Sequence, residues 1–127
     1  MVWKKRDIII NKSNYIVKNT PMEIAKNRLA NLNEKGFAKD FYTEISHITR
    51  EYIEHSKYIK TLEMTTEEII NNRTLFLFDD NSFSEWTDLL YKADLVKYAK
   101  QAIEVSEMES DRYKAIDFID NFSAKST

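Results

Sequence analysis

Apolar residues recur along this chain at helical spacing. Phe37, Phe41, Ile45, Ile48 and Tyr52 are separated by three or four positions, which keeps them on one face of a helix over 37–56. Tyr42, Thr49 and Ile53 form a weaker second stripe on the same segment. Upstream, Ile24, Ala25, Arg28, Leu29 and Leu32 predict a helix over 21–35, with Gly36 placed to act as its C′ residue. A short helix over 66–73 would turn Ile69 and Ile70 inward. The segment 83–102 is apolar on two sides. Trp86, Leu89, Leu90, Ala93 and Val96 make one stripe, while Tyr91, Leu95, Tyr98 and Ala102 make another. Such a helix is either central in a bundle or half-committed to a partner. A last helix over 107–122 has Met108, Tyr113 or Arg112, Ala115, Ile116, Ile119 and Phe122 as its inner face.

Start signals support these assignments. Thr20, Thr65, Ser82 and Ser106 are each followed three residues later by Glu, the pattern of a capping box. Pro21 suits the first helical position after Thr20, because its fixed φ is already helical. Residues 74–78 read either as one more helical turn or as a short extended piece. Residues 1–19 differ in character. Ile8–Ile10 and Tyr15–Val17 flank a polar Asn11-Lys12-Ser13-Asn14, which fits a small hairpin or a basic leader without fixed structure. The expected architecture is all-α: a compact five-helix bundle over 20–123, a basic N-terminal arm over 1–19 and a tail over 124–127. Phe41, Ile45, Ile48, Trp86, Leu90 and Ile116 are its expected core.

Composition narrows the chemistry. The 127 residues include one glycine, one proline and no cysteine. A phosphate-cradling glycine loop, a disulfide framework and a cysteine-ligated metal are therefore excluded. The net charge of −2 conceals an asymmetry. Residues 1–35 carry eight Lys/Arg against three Asp/Glu, so the remainder is acidic. An acidic body disfavours contact with phosphate backbones. No apolar run approaches the roughly 20 residues needed to span a bilayer, and no long apolar stretch follows Lys4, Lys5 and Arg6 as a signal peptide would require. A soluble, intracellular chain is expected.

Three blocks carry a family resemblance: Phe41–Glu54, Leu62–Ile70 (LEMTTEEII) and Leu89–Lys100 (LLYKADLVKYAK). In this order they resemble the cytoplasmic helical region of Bat-type membrane proteins of aerotolerance operons. Such proteins are typically encoded beside MoxR AAA+ ATPases and von Willebrand factor A-domain proteins. The sequence departs from the usual pattern at Ser56–Lys60, where Phe-Gly is common, and at Gln101–Glu104, where proline often occurs. The resemblance implies a transmembrane helix outside this chain, with Trp3, Lys4, Lys5 and Arg6 as its membrane-proximal flank. It also implies a place at the cytoplasmic face of the inner membrane, and as partner a MoxR-type ATPase or an A-domain protein. It implies no catalytic residue.

Few residues offer chemistry of their own. Glu44, His47, Glu51 and His55 fall within one narrow helical stripe, a spacing that suits metal ligation. The di-iron bundle motif needs a second Glu-x-x-His on a facing helix, and both histidines lie on this one, so no metal or cofactor is expected. Asp79-Asp80-Asn81 with Glu85 lacks the glycine and spacing of a calcium loop. No serine lies in a nucleophile elbow. The expected function is therefore a non-enzymatic protein-interaction module. Its candidate partner-binding face is Tyr91, Leu95 and Tyr98, with Tyr42 and Ile53 as second choice. The alternative is a small helix-turn-helix-like nucleic-acid binder with 65–73 as support and 83–102 as reader. Glu85, Asp88 and Asp94 on that reader count against it, and no nucleic-acid partner is expected.

Overall fold

A computed structural model describes residues 19–99 and 101–125, with side chains through 122. Five α-helices account for most of them: α1 (Pro21–Ala30), α2 (Ala38–Lys57), α3 (Thr66–Asn71), α4 (Asp80–Ala99) and α5 (Val105–Lys125). Two 3-10 turns, Thr61–Glu63 and Arg73–Leu75, flank α3, and no strand occurs among the described residues. The expected all-α five-helix architecture is what the chain adopts. Of the hairpin or arm expected over 1–19, all but residue 19 lies outside the described residues, and so do the membrane-proximal Trp3, Lys4, Lys5 and Arg6.

The centre of the bundle is α2, which packs against α1, α4 and α5. Being covered on three sides, it buries both of its apolar stripes. Phe41, Ile45, Ile48 and Tyr52 are core residues, and so are Tyr42, Thr49 and Ile53. Trp86 of α4 lies fully buried against this helix, and its indole N–H donates to Thr49 Oγ1 at 3.0 Å. Trp86 also stacks on Phe118 of α5, with ring centroids 5.8 Å apart and planes 10° from parallel. Phe76, Phe78, Phe83 and Phe122 complete an aromatic cluster around this pair. Phe118 was absent from the expected inner face of α5, and Ile116, expected in the core, is only partly buried. The α5 stripe runs through Met108, Asp111, Arg112, Ala115, Phe118, Ile119 and Phe122, while Tyr113 points to solvent.

Two of the four expected capping boxes form. Thr20 and Thr65 each accept from the N–H of the Glu three residues on, and each Glu accepts from the cap's own N–H. Ser82 and Ser106 do not cap, because their helices start earlier. The Asp79 carbonyl accepts from Phe83 N–H, and the Glu104 carbonyl accepts from Glu107 and Met108 N–H. Ser82 is thereby buried inside α4. At the other end, α5 continues through Lys125, past the expected start of the tail, because no glycine or proline interrupts it.

The connections are fastened by arginines rather than by turn residues. Arg112 reaches from α5 to the end of α1. Its guanidinium donates to the carbonyls of Leu29 (2.6 Å), Ala30 (3.1 Å) and Leu32 (2.7 Å) and to Glu34 Oε1 (2.9 Å). Leu29 and Ala30 close α1, where carbonyls run out of helical partners, and Leu32 lies just beyond its end. Helix α1 therefore ends at Ala30, short of the expected Lys35, and Gly36 sits in the following loop without positive φ. Arg73 donates to the carbonyls of Phe76 (2.6 Å) and Phe78 (2.7 Å) and pairs with Asp80 (2.8 Å), so residues 76–79 leave the helix and insert Phe76 into the core. Arg50 donates to Met64 O and Ser46 Oγ, while Thr61 Oγ1 donates to Arg50 O, which pins the loop after α2. Helix α2 itself closes with Tyr58 in the left-handed region at φ 60°, where glycine is the usual residue. Phe37, Ile24 and Ile70, expected to turn inward, are exposed.

Candidate interaction surface

Helix α4 faces two ways. Phe83, Trp86, Thr87, Leu89, Leu90, Ala93 and Val96 are buried, and together they span about half of the helix circumference. The remaining sector carries Ser84, Asp88, Tyr91, Leu95 and Tyr98. Tyr91 is 59% exposed and Tyr98 75% exposed, with Leu95 half-buried one turn from each. Positions 91, 95 and 98 follow the four-then-three spacing that keeps side chains in line along two turns of a helix. The strip is therefore an outer seam of α4, as its second apolar stripe implies. Alanine 102 is not part of it, because α4 ends at Ala99.

The second-choice face does not exist as a surface. Tyr42 and Ile53 are both fully buried, because α2 is enclosed by three other helices. Tyr42 has a structural partner instead. Its hydroxyl donates to the buried carboxylate of Asp111, which also holds Lys92 Nζ at 2.7 Å; Lys92 in turn pairs with Glu107. Burial pushes the Tyr42 phenol well above the ordinary tyrosine range, and the hydrogen bond and charge of Asp111 push it the same way. For Lys92, burial opposes the charge, but hydrogen bonds to Asp111 and Glu107 outweigh it and raise the pKa. Lys92 and Asp111 line an open cleft of about 600 Å³ between α4 and α5, together with Glu85, Asp88 and Lys114.

The outer seam has an acidic border. Asp88 and Asp94 flank it on α4, and Asp94 accepts from Thr66 Oγ1 of α3 at 2.7 Å. Lys97 lies over the Tyr98 ring, 5.1 Å from its centroid. Beside Tyr98 opens a second cleft, about 430 Å³, with Arg50, Met64, Thr65 and Asp94 in its lining. Burial lowers the Arg50 pKa, while the charge of Asp94 opposes that shift.

In the stripe of Glu44, His47, Glu51 and His55, the two glutamates form a salt-bridge site. Arg28 of α1 pairs with Glu51 and lies 3.3 Å from Glu44, so one guanidinium bridges both carboxylates. His47 Nε2 is 3.6 Å from Glu51. No group of three or more His, Asp or Glu among the described residues is arranged to hold a metal ion. Nor is any helix among them long and apolar enough to cross a membrane. Arg28 was expected in the buried stripe of α1; Glu44 and Glu51, two turns apart on the facing stripe of α2, were the signal for its pairing.

Comparison of the chain with protein-family models, with curated proteins and with solved structures finds no match.

Proposed function

We propose that this domain is a non-enzymatic interaction module that presents the outer seam of α4 to a protein partner. One observation carries the reading. Two tyrosines, each more than half exposed, bracket a half-buried leucine on the helix that otherwise forms the floor of the core. Tyrosines on a rigid helix supply large amphipathic contact area at low entropic cost, which is why they are enriched at the centres of interfaces. The buried half of α4 fixes the seam's position, so little ordering remains to oppose binding. Acidic residues at the border set register and partner choice.

The resemblance of the three sequence blocks supports reading this module as part of a Bat-type protein at the cytoplasmic face of the inner membrane. Its anchor then lies outside the chain, and its partner is a MoxR-type ATPase or a von Willebrand A-domain protein. The acidic seam counts against the helix-turn-helix alternative, since Asp88 and Asp94 would face phosphate. The test is a binding assay of the full chain and the Tyr91→Ser/Tyr98→Ser variant against these two partners. Binding lost in the variant, with its melting curve intact, is the expected result. Equal binding by both chains would refute the seam as the site.

A further inference from the structure

The seam lies on the acidic side of the molecule. The segments Thr61–Glu63, α3 and α4 carry seven acidic residues against two lysines; Arg73 pairs with one of the seven, Asp80, and Arg50 faces Asp94 across the cleft beside Tyr98. Lys92 is turned away into its pairs with Asp111 and Glu107, so Lys97, over the ring of Tyr98, is the lysine of α4 left at the seam. Asp88 and Glu67 are exposed and have no ion-pair partner among the described residues. An occupant of this surface needs apolar side chains for the seam and positive charge for its border.

The same chain contains a segment of that chemistry. Residues 1–18 hold five basic residues against the single acidic Asp7, so the segment is +4. Interspersed with them are Val2, Trp3, Ile8–Ile10 and Tyr15–Val17. Reach is no obstacle. Eighteen residues extend to about 60 Å, whereas the 20-residue helix α4 is only about 30 Å long. A tethered segment also acts at an effective concentration of about millimolar, so a contact too weak to hold in trans can hold in cis.

We infer that the N-terminal segment, residues 2–18, is the seam's occupant when no partner is bound. It lays apolar side chains on Tyr91, Leu95 and Tyr98, and its lysines and Arg6 face the acidic border. A partner that takes the seam must displace it. The inference rests on the seam being an interaction face, but not on the identity of the partner.

The two tryptophans provide the test. Trp86 is fully buried, so acrylamide quenching of the intact protein reports on Trp3. In the wild-type chain Trp3 should be shielded at low salt. Quenching should rise severalfold in Tyr91→Ser/Tyr98→Ser, and again in a chain with Lys4, Lys5, Arg6, Lys12 and Lys18 changed to Gln. High salt should raise it in the wild type, because charges at a solvated border are screened. Near-ultraviolet circular dichroism of each variant confirms that the core around Trp86 is intact. Trp3 as quenchable in the wild type as in a free 1–18 peptide would overturn the inference. So would shielding unaffected by the seam substitutions, or shielding that appears only as protein concentration rises. These outcomes bear on the arm alone and leave the partner-binding assay above to stand or fall separately.

Discussion

At the scale of single residues, the fold depends on side chains that bind main-chain carbonyls. Arg112 is the clearest, with three carbonyls and Glu34 in reach of one guanidinium. Replacing it with Met should cost about 3 kcal/mol in denaturant unfolding, since the end of α1 is left unsatisfied. Arg112→Lys should recover only part of this, because an ammonium cannot fork across several acceptors. Tyr58 makes the opposite prediction. It holds a left-handed conformation while 90% exposed, a strain of about 1–2 kcal/mol for a residue with a Cβ. Tyr58→Gly should therefore raise the melting temperature. Gly36→Ala should be tolerated, since an added Cβ would meet only Asn33, at 3.6 Å. Stability at high pH belongs to this scale too. Tyr42 and Lys92 both have folded-state pKa values above their ordinary ones, so the folded protein holds their protons more tightly than the unfolded chain. Their contribution is complete below about pH 10 and is lost as pH rises beyond it. Thermal melting between about pH 8 and 11 should show this decline, with a shallower slope in Tyr42→Phe.

At the scale of elements, helix identity was legible from apolar spacing, and helix ends were not. The spacing of Phe41, Ile45, Ile48 and Tyr52 located α2 almost to the residue, because one strong face sets both period and length. Thr20 and Thr65 announced α1 and α3 through local hydrogen bonds that need no tertiary partner. Ser82 and Ser106 carried the same pattern but lost to earlier starts. In α4 Asp79 competes, and aspartate is as good an N-cap as serine. The end of α1 was illegible for a different reason, since the group that terminates it lies 80 residues away in Arg112. Capping variants separate these cases. Thr20→Ala and Thr65→Ala should each cost about 1 kcal/mol, whereas Ser106→Ala should change unfolding free energy by less than about 0.5 kcal/mol.

At the scale of the whole molecule, the seam was legible and its rival was not. Two apolar stripes marked both α2 and α4, yet periodicity cannot say how many neighbours a helix has. The contacts decide it: α2 is enclosed by α1, α4 and α5, so its second stripe is core, while α4 keeps one sector free. The aromatic cluster around Trp86 was half visible. Trp86 was expected inside, but Phe76 arrives from an irregular segment that Arg73 fastens from outside the core. Phe76→Ala should cost about 3–5 kcal/mol, as befits a fully enclosed ring.

The central claim is that the outer seam of α4 serves binding and not folding, and Leu95→Asp tests it most directly. The measurement is a binding titration of wild-type and variant chains against the proposed partners, a MoxR-type ATPase and an A-domain protein, with a melting curve for each chain. An aspartate on this half-buried site should shift stability by about 1 kcal/mol or less, yet weaken association at least tenfold, or about 1.4 kcal/mol. A variant that unfolds would show the seam to be core, and a stable variant that binds as tightly as the wild type would show that partners dock elsewhere.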